Sequence, residues 1–103
     1  MSGLDKLIHQ PVRLRIMASL VTLDPTDQVD FTYLRELLDV TDGNLGAHLQ
    51  KLEAGGYIRV EKTFIARKPR TFIAATPKGR GAYDEHVEAL RQILGGADKP
   101  ASP

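Results

Sequence analysis

The stretch Phe31–Ile58, FTYLRELLDVTDGNLGAHLQKLEAGGYI, constrains the fold most. Leu34, Leu37 and Leu38 give an inward stripe at i, i+3, i+4 for a helix from Thr32 to Asp39. Leu45, Leu49 and Leu52, at i, i+4, i+7, do the same for a second helix from Asp42 to Ala54. Gly55-Gly56 stops that helix with residues tolerant of left-handed backbone. Only Val40-Thr41 is left as a turn, so the two helices cannot lie antiparallel. They cross steeply, in helix-turn-helix fashion, and the second presents its outer face. Thr41 suits its N-cap, with the hydroxyl placed for orphan backbone N–H groups, and Asp42 suits the positive end of its dipole.

That outer face carries Asp42, Gly43, Asn44, Gly46, Ala47, His48, Gln50 and Lys51. Two glycines within a helix cost about 1 kcal/mol each relative to alanine, with no packing role evident at outward positions. Small residues there let the helix sit close to something, and Asn44, His48, Gln50 and Lys51 can bond base edges or phosphates. The alternative for His48 is an exposed histidine with no task.

The flanking sequence supplies a scaffold. Leu4–Ile8 reads as a short helical turn, and Pro11 suits the first position of a helix that continues through Val12–Val21. The apolar coverage of that helix is wide enough for burial on more than one side. Asp24–Asp27 is a turn cluster, and Val29-Asp30-Phe31 alternates well enough to add a short edge strand. Tyr57–Lys62 and Thr71–Ala75 read as a β-hairpin whose tip, Phe64–Arg70, contains Pro69 against further pairing. Thr76-Pro77 starts a last helix, expected to run to about Leu94 and to end at Gly95-Gly96, with a frayed tail over 95–103. Tyr83, Val87, Leu90 and Leu94 form its stripe, with His86 and Ile93 beside them.

With 103 residues the chain fits one domain, core 4–94. No apolar run approaches the roughly 18 residues of a membrane span, and the N-terminus lacks a signal-peptide pattern, so a cytoplasmic location is expected. Cysteine is absent, which removes disulfides and thiolate metal sites. The net charge of +1 is unevenly spread: Arg59–Arg80 carries +6 (Arg59, Lys62, Arg67, Lys68, Arg70, Lys78 and Arg80 against Glu61). A cationic segment on an otherwise acidic body is the footprint of a polyanion partner.

The order helix, short strand, helix, helix, basic hairpin, long helix is that of a winged helix-turn-helix, an α+β fold that is mainly α. HQPVRLRIM (His9–Met17) and TDGNLGAHLQKLEAGGYI (Thr41–Ile58) resemble ArsR-type repressors, and TPKGR (Thr76–Arg80) is similar to the start of the last helix in MarR-type regulators. The resemblance spans about Leu4–Leu94. It implies a dimeric, sequence-specific regulator of double-stranded DNA, most often a repressor, in which Asp42, Asn44, Gly46, Ala47, His48 and Lys51 face the major groove. It further implies a wing contact with the minor groove or flanking phosphates through Arg67, Lys68 and Arg70, and backbone contacts by Arg13 and Thr41. Gly46 stands where relatives commonly carry serine. The alternative reading is a winged helix that binds protein and not DNA.

The last-helix stripe, Tyr83, Val87, Leu90, Ile93 and Leu94, exceeds what a three-helix core needs, so a homodimer through that helix, aided by the N-terminal helix, is expected. Other signals are weak. His9, His48 and His86 lie on separate helices without ligand spacing, so no metal site is expected. Asp84, Glu85 and Glu88 read as a solvated face. Gly79-Arg80-Gly81 lacks the third glycine and the βαβ unit of a dinucleotide fingerprint. Ser2, Ser19 and Ser102 have no nearby base. Neither an enzyme nor a cofactor is expected, and any effector pocket would lie at the dimer interface.

Overall fold

A computed structural model describes residues 4–98, and the last five positions of the expected tail lie outside them. The chain forms α1 (Pro11–Val21), β1 (Val29–Asp30), α2 (Phe31–Leu38), α3 (Asp42–Ala54), β2 (Ile58–Ile65), β3 (Lys68–Ala75) and α4 (Pro77–Asp98). The three strands make one antiparallel sheet in the order β1-β3-β2. Ile16, Met17 and Leu20 of α1 meet Leu34 and Leu38 of α2, Leu45, Leu49 and Leu52 of α3, and Ile58 and Ile73 of the sheet in a single buried cluster. The fold is the expected winged helix-turn-helix.

Each helix junction has a local cause. Asp30 caps α2, its carboxylate accepting from the N–H groups of Thr32 and Tyr33, so the helix starts at Phe31. It ends at Leu38, one residue before the expected Asp39. Asp39 is already left-handed (φ 57°), its N–H donating to Glu36 O and that of Val40 to Arg35 O. This is a Schellman closure built on aspartate, a residue that tolerates such backbone better than most. Gly56 (φ 81°) closes α3 in the same way, with Gly56 N–H to Glu53 O and Tyr57 N–H to Leu52 O.

Three further features depart from expectation. Leu37 is 51% exposed, because the two turns of α2 meet the body only along the Leu34–Leu38 line. The hairpin pairs to its end: Phe64 opposes Pro69, Ile65 opposes Lys68, and only Ala66-Arg67 turn the chain. Pairing survives Pro69 because the pair next to a two-residue turn exchanges both hydrogen bonds, so the following pair, Phe64–Pro69, exchanges none. The β1 partnership with β3 involves only Phe72 and Ile73, so it does not need the missing N–H either.

The third departure is that α4 passes straight through Gly95-Gly96 to Asp98. Glycine ends a helix only when it takes up positive φ, and Gly56 alone does so among the described glycines. At the other end of α4, a β-carbon on Gly79 would sit 2.0 Å from Tyr57 O, which fixes glycine where this turn crosses the start of β2.

Candidate nucleic-acid interface

Helix α3 turns its outer face beside the sheet. Gly43, Gly46, Ala47 and Gln50 of α3, with Lys62 of β2 and Thr71 of β3, line an open groove of about 590 Å³. Neither Gly43 nor Gly46 has any atom within 4 Å of an added β-carbon. Their helix-weakening cost therefore has no packing reason inside the chain. Among the described residues Asn44, Gln50 and Lys51 are exposed and their side chains make no hydrogen bond or ion pair.

The other α3 residues expected at the interface are held in place. Thr41 Oγ1 accepts from the Asn44 N–H at 3.0 Å, so its hydroxyl serves the helix cap. Asp42 Oδ1 lies 2.8 Å from Arg35 Nε, which ties the first turn of α3 to α2 while leaving the carboxylate largely exposed. His48 lies at the edge facing α1, with Arg13 Nη1 at 3.1 Å from its Nδ1. The same guanidinium donates from Nε to Leu7 O. Arginine has no acceptor, so His48 Nδ1 must offer its lone pair, and the neutral ring then carries its proton on Nε2. Burial lowers the His48 pKa, and the charges of Arg13 and Lys51 lower it further. The ring is thus a fixed donor, and Arg13 orients it.

The basic segment divides once it is folded. Arg80 reaches across the domain to the end of α1, donating to Val21 O at 3.2 Å, Leu23 O at 2.9 Å and Asp24 O at 3.2 Å. It caps the negative end of that helix and is removed from the polyanion footprint. Lys78 sits 5.6 Å from the centre of the Tyr57 ring. Arg70 Nε lies 3.3 Å from Asp30 Oδ2, and strand alternation puts it on the sheet face away from α3. Arg59, Lys62, Arg67 and Lys68 make no ion pair among the described residues. Lys62 is the one the sequence undervalues: alternation predicts its face only once it is known that Val60 faces the core.

Arg67 occupies the apex at φ 67°, after Ala66 at φ 53°. Left-handed backbone costs a non-glycine residue about 1–2 kcal/mol, and here it holds a cationic side chain at the tip of the wing.

On α4, His86, beside the apolar stripe, is fully buried. Its Nδ1 accepts from the Asp5 N–H at 3.0 Å, and the His9 ring meets it edge-on at 5.3 Å. The Tyr57 hydroxyl donates to Asp5, and that bond above all pushes the Tyr57 pKa up to about 12. These contacts fasten the segment before α1 to α4 and to Tyr57, just ahead of β2. Along α4, Tyr83 packs on the core, Val87 and Leu90 are half-buried, and Ile93 and Leu94 are 56% and 64% exposed. The stripe therefore runs off the body of the domain. Among the described residues no group of three His, Asp or Glu side chains could hold a metal ion, and no helix is long and apolar enough to cross a membrane.

Two closely joined helices backed by a three-stranded sheet and flanked by a paired hairpin define the winged-helix class of transcriptional regulators. The family described as winged helix DNA-binding domain matches residues 12–94, and the chain belongs to it. An uncharacterized protein of Methanocaldococcus jannaschii is 38% identical over 88 residues, covering 85% of this chain and 92% of that protein. The structure of a transcriptional regulator homologue from Pyrococcus horikoshii superposes with a TM-score of 0.81 at 32% identity, covering 91% of this chain and 90% of the other. The fold is shared with a MarR-family regulator of Enterococcus faecalis, TM-score 0.75 at 24% identity over 91% of this chain and 82% of that one.

Proposed function

We propose that this chain, as one domain over residues 1–103, is a sequence-specific double-stranded-DNA-binding repressor that acts as a homodimer. The observation that carries the reading is the outer face of α3. Gly43 and Gly46 leave it low, Asn44, Gln50 and Lys51 are unengaged, and the Lys62 side of the wing stands beside it. A low helix face can seat deeply in a major groove, which is wide enough for one α-helix. Asn44, Gln50 and the His48 Nε2–H then reach base edges, with Ala47 against a thymine methyl. Lys51, Lys62, Arg67 and Lys68 meet phosphates. Asp42, Thr41 and Arg13 act mainly by holding α3 and His48, and Arg70 contributes charge from behind.

The dimer is proposed on the exposed end of the α4 stripe. Ile93 and Leu94 with Leu90 continue a surface that the core already covers at Tyr83, and a second copy brings the same self-complementary surface. Two α3 helices then address successive major grooves about one turn of DNA apart. Selection of bound fragments from a random-sequence duplex library tests the function. Enrichment of a two-fold-symmetric motif, with affinity that falls as salt rises, is the expected result. Recovery of no motif and no salt-dependent binding would instead favour a winged helix that binds protein.

A further inference from the structure

The wing tip is apolar as well as basic. Phe64 is 71% exposed and Ile65 49% exposed, at the end of a hairpin whose other tip residues are Ala66, Arg67, Lys68 and Pro69. Strand alternation places Phe64 on the face shared by Val60 and Lys62, the face that borders the α3 groove. It lies two residues beyond Lys62, about 7 Å further from the body. A two-residue turn leaves no slack at the apex, and Pro69 stands opposite Phe64 at a non-hydrogen-bonded pair, where cross-strand side chains are closest. The ring is thus carried outward on a stiff support.

We infer that Phe64 is an apolar wedge that enters the minor groove of duplex DNA next to the major groove read by α3. This rests on the DNA-binding reading above, in which a basic wing meets the minor groove or its phosphates, and adds to that contact an apolar residue outside the basic set. Charge selects the occupant: Lys62 shares the face of the ring, Arg67 stands at the apex beyond it, and Glu61, the one acid of the hairpin, lies on the other face with Lys68, which suits a polyanion and not an apolar protein surface. An aromatic ring entering edge-on fits a groove about 6 Å wide, and apolar side chains at such positions can pry apart a base step. Ile65, on the opposite face, points away from the α3 groove and is not part of the wedge.

The test uses a duplex selected from a random library by the wild-type chain. Binding of wild type, Phe64→Ala, Phe64→Leu and Arg67→Ala is followed by fluorescence anisotropy across a salt series, with hydroxyl-radical footprinting to report access to minor-groove sugars. Phe64→Ala loses about tenfold or more in affinity with an unchanged salt slope and leaves the flanking minor-groove sugars open, whereas Phe64→Leu keeps most of both. Arg67→Ala lowers the slope. Wild-type affinity in Phe64→Ala, a slope that falls with it, or sugars still protected would overturn the wedge. Failure of the wild type itself to bind any duplex would overturn the DNA-binding reading, so the two failures are distinguishable. Phe64 is largely exposed, so neither variant threatens folding.

Discussion

Arg13 Nη1 lies 3.1 Å from His48 Nδ1, joining the first turn of α1 to α3. The bond fixes the tautomer of His48 and turns Nε2–H outward as a donor. Arg13→Ala therefore relaxes sequence preference with little change in salt slope, costing about 1–3 kcal/mol of discrimination at one base pair. It also raises the His48 pKa, since the Arg13 charge is one cause of its depression. Competition binding with single-base variants of the selected duplex, and histidine resonances followed by NMR, measure the two effects. Equal losses on selected and random duplexes would reject the assignment.

Gly43 and Gly46 weaken α3 for no reason internal to the chain. Gly46→Ala and Gly43→Ala each raise stability by about 1 kcal/mol, and each lowers affinity for the selected duplex. Thermal melts and anisotropy on the same samples check the opposed changes. A stabilised variant with full affinity would show that close approach is not the purpose of these glycines.

Arg67 sits at positive φ, where glycine is unstrained. Arg67→Gly stabilises the fold by up to about 1 kcal/mol yet reduces the salt slope by about 0.9 for each phosphate that is no longer neutralised. Lys62→Ala has a similar effect on slope. Arg70→Ala changes it less, because Arg70 already faces Asp30 at 3.3 Å.

His48 and His86 both titrate lower in the fold than in an unfolded chain, mainly through burial. Below the unfolded value of about 6.5 the unfolded chain binds more protons, so stability is complete above that pH and is lost as pH falls through the folded values. Urea midpoints at about pH 7.5 and about pH 5 will therefore differ, with the lower stability in acid. The His48→Gln variant reduces the difference by removing one titration. The negative charge of Asp5 opposes part of the His86 shift, so Asp5→Asn makes the acid loss larger.

Leu94 is 64% exposed on the stripe that leaves the domain body. Leu94→Glu converts the proposed dimer to monomer in sedimentation at micromolar concentration without lowering the melting temperature of the monomeric domain. An unchanged sedimentation coefficient would place the interface elsewhere.

The sequence by itself determined the element order, the α3 core stripe of Leu45, Leu49 and Leu52, and the caps at Thr41 and Gly56, because helical periodicity and end chemistry are local. It also identified most of the outer face of α3, which is what remains once that stripe is buried. Tertiary structure decided which charged groups are available. Arg80 counts toward the cationic segment in the chain and becomes a helix cap, and His86, beside the apolar stripe, becomes a buried hydrogen-bond acceptor, because their partners are more than fifty residues away. Lys62 moved the other way, since its face depends on how the hairpin packs against α3. Local pattern sets where helices and strands can form, but the pairing of distant charges depends on chain packing and cannot be read from spacing alone.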